Sequence, residues 1–304
     1  MMQTHLGELA ALTTAICWAL NGAAFEAAGK RVGSTAVNYL RLVLAFFFLS
    51  FTSLAIRGLF FPVDATGNAW LWLSVSGIIG SVMGDMFLLE AFVLIGSRIS
   101  MLIMSLAPPL TVLISFFLLD ETIDFISMVG ISLIMAGIIM VVLSKKPEEE
   151  GEEKLKISFS RSPKGIFYGF MGALGQALGL IFSKMGMGDS YSAIAATQIR
   201  ALSAIIGLAI LITIKKKWPE ITGAFKDKKA LNQIVMGSVF GPFIGVALSL
   251  VALQYTKTGI VSSITSLSPI FIIPISMVIF KEKILPKEVL GAFVSVLGVA
   301  VLFL

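Results

Sequence analysis

The chain has 304 residues, of which 57% are hydrophobic and 13% charged, with a mean hydropathy of +0.95. A soluble domain carries about 45–50% apolar and about 25% charged residues, so a disordered chain, a secreted disulfide scaffold and an ordinary cytosolic enzyme are all excluded. The formal charge is +5, yet the basic residues fall in short polar gaps between apolar runs, the pattern of loops at a lipid surface rather than of a nucleic-acid-binding stripe.

A bilayer core about 30 Å thick needs roughly 20 apolar residues per helical span. In chain order that ruler marks ten spans, at 7–27, 35–56, 69–94, 97–119, 124–144, 163–185, 191–214, 231–256, 258–280 and 286–304. Their apolar character runs all round each segment, as lipid or a buried bundle requires. Stretches such as Ile131–Leu143 do not alternate, which argues against barrel strands. The first span reads as a transmembrane helix and not as a signal peptide, because Met1–Glu8 carry no Lys or Arg and no small-residue cleavage site follows. Two polar stretches are long: a mixed-charge linker at 145–162, and 215–229 with six lysines. The sole cysteine, Cys17, and the sole histidine, His5, leave no intrachain disulfide and no His/Cys metal site.

The two halves repeat. Gly84 and Gly245, Ala91 and Ala252, Pro108 and Pro269, Glu121 and Glu282, Gly130 and Gly291, and Gly137 and Gly298 are each 161 residues apart. Arg41 and Arg200 correspond at a separation of 159, Gly7 and Gly165 at 158. A constant offset over Pro, Glu and Gly positions marks an internal repeat. Each repeat holds five spans, an odd number, so the second enters the membrane from the opposite side. The expected fold is therefore an all-α integral membrane protein of ten transmembrane helices, arranged as two inverted five-helix repeats. Residues 1–144 form the first repeat, 145–162 the linker and 163–304 the second.

Several motifs carry a family resemblance. The first span reads Cys17-Trp18-Ala19-Leu20-Asn21-Gly22, followed by Phe25 and Lys30. The third and fourth read Gly84-Asp85-Met86-Phe87-Leu88-Leu89-Glu90-Ala91, Ile95-Gly96-Ser97-Arg98, Ser105-Leu106-Ala107-Pro108 and Leu119-Asp120-Glu121. The second half has Ser266–Pro269 and Lys281-Glu282, with Gln176 where a Trp is common. Over nearly the whole chain this resembles the EamA family of the drug/metabolite transporter superfamily. The resemblance implies a multi-pass plasma-membrane transporter with both termini cytoplasmic. Lys/Arg counting points the other way, since Lys30, Arg31, the two clusters, Lys281, Lys283 and Lys287 lie opposite the termini. The family orientation is the working expectation.

Ionisable groups deep in a span are costly and normally face a cavity or a partner. Asp85, about ten residues from its span end, is the deepest. It is a proton carrier or a counter-ion to a cationic solute group, or else it caps loosened backbone or pairs with a structural Arg. Glu90, about 140° further round the helix, is expected to pair with Arg98 or water. Arg41 and Arg200 either attract an anionic solute or pin helix packing, with Asn38 and Thr197 one turn before them. Trp18, Asn21 and Phe25 form one stripe, either cavity lining or packing, with Gln176 the counterpart in the sixth span. Pro108, Pro109, Pro269 and Pro274 read as mid-span kinks that free carbonyls, with Pro108, Pro269 and Pro274 as candidate hinges and nearby Ser105, Thr265, Ser266 and Ser268 placed to satisfy them.

No phosphate-binding loop, nucleophile elbow or HExxH run occurs in the sequence, and no cofactor is expected. The function expected is secondary transport of small organic metabolites such as amino acids, directed outward, by alternating access. A proton-coupled multidrug or cation exporter is the alternative, and an intramembrane enzyme a further one. Expected partners are a small organic solute, protons in the second reading, and membrane lipid, with no nucleic acid. The oligomeric state is left open.

Overall fold

The computed structural model describes residues 6–118, 125–143, 162–188, 191–255, 264–265, 267–281 and 284–302. Asp120, Glu121, Lys257, Ser266, Glu282, Lys283 and residues 145–161 of the linker lie outside the described residues. Within them every regular element is helical.

The first helix, α1 (Leu6–Val32), stops at Gly33, whose φ of +84° is open to a residue without a Cβ. Directly after it runs α2 (Ser34–Arg57), which ends on a left-handed Gly58 whose N–H donates to Leu54 O at 3.0 Å. Thr66 caps α3 (Gly67–Ser76) by accepting from Ala69 N. The path continues without a break through a π-wound segment, Gly77–Gly84, into α4 (Asp85–Ile95). Gly96, with φ +83°, turns the chain into α5 (Ser97–Met104). The expected 97–119 span is interrupted at Ser105 and Leu106, where the N–H groups bond three residues back, and α6 (Ala107–Leu118) follows.

Next come α7 (Phe125–Val142), α8 (Pro163–Met187, capped by Ser162), α9 (Ala193–Ile214) and the short α10 (Trp218–Ala224). Asp227 caps α11 (Lys228–Ser238), which passes through a second π-wound segment, Val239–Gly245, into α12 (Val246–Tyr255). The described chain closes with α13 (Ser268–Ile279) and α14 (Pro286–Leu302).

Among the described residues, seven helical stretches are long and apolar enough to cross a membrane: Leu6–Val32, Ser34–Arg57, Gly67–Ile95, Ser97–Ile114, Phe125–Val142, Pro163–Met187 and Ala193–Ile214. The spans expected at 231–256, 258–280 and 286–304 correspond to the π-interrupted α11–α12 path, to the 12 described residues of α13 and to the 17 of α14. The outer surface is apolar: Phe117, Phe125, Ile214 and Val278 are each at least three-quarters exposed. In water such a surface would aggregate, whereas against lipid it needs no cover.

Glycine sets the closeness of packing. A Cβ on Gly291 would stand 2.7 Å from Gly137 O, and one on Gly298 would stand 2.8 Å from Gly130 O. The later residue of α14 thus meets the earlier residue of α7, so the two helices run antiparallel. The same antiparallel order joins α8 to the α3–α4 path, where Gly175 meets Gly84 and Gly179 meets Gly80. It also joins α1 to the α11–α12 path, where Trp18, Asn21 and Phe25 meet Gly245, Gly241 and Gly237. The first helix of each half therefore packs on the glycine-rich π-wound path of the other half.

Candidate functional site

The candidate site grows from the first π-wound segment. Gly77, Gly80 and Gly84 lack Cβ atoms, so this stretch lies directly against the backbone of Arg200 in α9 and of Gly175 and Gly179 in α8. A wider i→i+5 turn is a rare geometry that concentrates at functional positions. It ends at Asp85, whose N–H reaches Gly80 O and Val82 O. Asp85 opens α4 within this unbroken helical path.

Both Asp85 oxygens are engaged. Oδ2 accepts from Arg41 Nη2 in α2, and Oδ1 accepts from Gln176 Nε2 in α8 at 2.5 Å. Arg41 is itself oriented by Asn38, one turn earlier, whose Oδ1 accepts from Arg41 Nε and Nη2 at 3.0 Å each. Asn38 Nδ2 donates to Ser81 O at 3.2 Å, tying α2 to the π-wound segment. The Arg41 guanidinium also lies 5.7 Å from the ring centre of Phe25 in α1, within cation–π range. The Arg41 and Asp85 side chains keep 14% and 12% of their surface exposed, so they are held but not sealed.

Arg200 behaves differently from its repeat partner. It feels the charge of Asp85, and its Nη2 lies against Gly80. Its Nε is buried, and among the described residues no acceptor takes its proton. Thr197, expected to serve Arg200 as Asn38 serves Arg41, instead donates its hydroxyl to Ala193 O at 2.7 Å.

The structure thus brings together Phe25, Arg41, Asp85, Gln176 and Arg200 from five helical paths. Asp85 is ion-paired to an arginine, Arg41. Trp18 and Asn21 lie earlier in α1, packed on Gly245 and Gly241, and among the described residues no donor reaches the buried Asn21 Oδ1. Gln176 reaches Asp85 from the position that answers to Trp18 in the other half.

Two expectations are corrected. Glu90 does not pair with Arg98: it accepts from Ser34 Oγ at 2.5 Å, while Arg98 Nη1 pairs with Glu288 Oε2 at 2.7 Å. Pro108, Pro109 and Pro269 lie in the first turn of α6 or α13, so, contrary to expectation, their missing N–H groups leave no helical bond unmade. Only Pro274 of the four sits inside a helix, and Pro242, which the sequence reading passed over, sits in the second π-wound segment. Ser268 Oγ does donate to a carbonyl near Pro269, that of Thr265, at 2.7 Å.

The sequence reading also missed Glu26. This fully buried carboxylate of α1 accepts from Ser97 N and Ser97 Oγ at 2.5 and 2.6 Å, and from Lys30 Nζ. It therefore supplies acceptors at the α5 N-terminus, where backbone donors have no helical partner. The legible signal was an acid inside an apolar span, four residues before a lysine.

Comparison with known proteins agrees with this architecture. The chain is 25% identical over 299 residues to an uncharacterized transporter of Archaeoglobus fulgidus, covering 97% of each chain. A solved crystal structure of a protein with 16% identity superposes with a TM-score of 0.63, covering 99% of this chain and 96% of the other, a likeness of fold. The family description for EamA-like transporters matches residues 5–143 and again 163–304. The chain belongs to the EamA-like transporter family and is a multi-pass membrane transporter of that type.

Proposed function

We propose that the protein moves small organic metabolites, amino acids among them, outward across the plasma membrane by alternating access. The scaffold in this reading is ten transmembrane helices in two inverted five-helix repeats, residues 1–144 and 163–304, joined by the linker at 145–162. The antiparallel course of α7 and α14, which are the same element in the two repeats, supports the inversion. Inverted halves can exchange conformations and so expose one central site to each face in turn.

The observation that carries the proposal is the Arg41–Asp85–Gln176 cluster. It joins α2 and α4 of the first half to α8 of the second, so a rocking motion between the halves has to remake it. Charged groups at such a depth are costly to insert, roughly 2.5–3.5 kcal/mol each on insertion scales, and are kept for pathways. In this scheme Asp85 is the counter-ion that holds Arg41, and Gln176 couples the pair to the opposite half. The sequence holds no phosphate-binding loop, so the driving force assigned here is an ion gradient or an exchanged solute.

A metabolite export and uptake screen tests this in a host expressing the wild type or Asp85→Asn. The expected result is solute movement by the wild type and its loss in the variant at equal membrane abundance. Full activity in Asp85→Asn contradicts the assignment.

A further inference from the structure

We infer that Arg200 is the anchor for a carboxylate on the transported solute; this rests on the transport reading above. The argument begins with the repeat. Arg41 and Arg200 correspond in the two halves, but the position 161 residues after Asp85 is Val246. Likewise Asn38 is answered by Thr197, whose hydroxyl is spent on its own helix. The second half has kept the arginine and lost both groups that hold it.

The structure bears the consequence. Arg41 is neutralised and oriented by Asp85 and Asn38. Arg200 shares only the field of that same Asp85, and its buried Nε lacks an acceptor among the described residues. Two guanidinium groups and one carboxylate leave one positive charge in excess. Asn38 has both polar atoms engaged, with Arg41 and with Ser81 O, and Gln176 spends its Nε2 on Asp85. What remains on offer is the Arg200 guanidinium, whose buried Nε finds no acceptor among the described residues. A buried charge without a partner is unfavourable, so the site is completed by an anion. A guanidinium fork matches a planar carboxylate through two parallel hydrogen bonds, which favours a carboxylate over a point-like anion.

The test uses the full-length protein in liposomes loaded with the twenty amino acids and their 2-oxo acid counterparts, or with the corresponding amino-acid amides. Efflux is followed by mass spectrometry. The expected result is efflux of one or more carboxylates at least tenfold faster than the matching amides. Arg200→Gln lowers that rate at least tenfold and narrows the acid–amide discrimination, while Arg200→Lys recovers part of both. A second measurement needs no solute: the ligand-free Arg200→Gln protein should melt at or above the wild type, since an uncompensated charge is gone. Arg41→Gln should melt below it, because Asp85 is then stranded. Amides moving as fast as acids, efflux of no carboxylate, or an Arg200→Gln protein with wild-type rates overturns the inference. Efflux of amides alone overturns it while leaving the transport reading intact.

Discussion

Arg98 at the start of α5 and Glu288 at the start of α14 form a buried ion pair across 190 positions of sequence, Nη1 to Oε2 2.7 Å, with side chains 7% and 2% exposed. Glu288 Oε2 also accepts from Leu285 N at 3.2 Å, so the acid is fixed by its own helix end as well as by the arginine. One residue before Arg98, Ser97 is held by Glu26 of α1. The α5 N-terminus is thereby tied to a helix of each half by carboxylates withdrawn from solvent.

Removing one member of a buried pair strands the other, at a cost of about 3–5 kcal/mol. Arg98→Ala should therefore lower the thermal unfolding midpoint of the detergent-solubilised protein substantially, and Arg98→Ala/Glu288→Ala should recover part of the loss. A double variant no more stable than the single one contradicts direct coupling of the two side chains.

The reciprocal contacts of α7 and α14 make a paired steric prediction. Gly137 and Gly298 correspond in the repeat, and each lies against backbone of the opposite helix. A Cβ there must push the helices apart, so Gly137→Ala and Gly298→Ala should each destabilise by about 1–3 kcal/mol, the usual range for overpacking. Unfolding midpoints check this, and a fall for one variant but not the other contradicts the matched environments.

Outside the spans, Asp227 accepts from Ala230 N at 3.0 Å and pairs with Arg31 at 2.8 Å. The backbone hydrogen bond at Ala230, then the Arg31 guanidinium, holds its carboxyl below the ordinary carboxylate value. A depressed acid contributes stability that is present above its unfolded pKa, about 3.9, and lost as pH falls through the lower folded value. Wild type should exceed Asp227→Asn slightly in thermal midpoint at pH 6, with the gap closing below about pH 4. A gap that widens on acidification contradicts the sign.

Much of this was legible because some residues carry constraints on their own. Glycine and proline at a constant offset revealed the repeat, and a carboxylate in an apolar run singled out Asp85 before any contact was known. Its partner was not legible: Arg41 is 44 positions away and Gln176 is 91, and only the packing of three helices selects that pair over Arg200. The π-wound segments left no periodic mark, since stretches that are apolar all round look alike at any turn width. The prolines mark the right stretches, but a run such as Ser105-Leu106-Ala107-Pro108-Pro109 does not say whether a helix bends through them or restarts at them. Glu26 went unnoticed because its role is to cap a helix belonging to another part of the chain.

Alternating exposure of the cluster is tested most directly by a single cysteine at Gln176, introduced as Gln176→Cys in a Cys17→Ala background and probed with a membrane-impermeant maleimide. Vesicles of both orientations are labelled separately. The account predicts modification from each face, with added solute shifting the balance between them. Labelling confined to one face under every condition contradicts it.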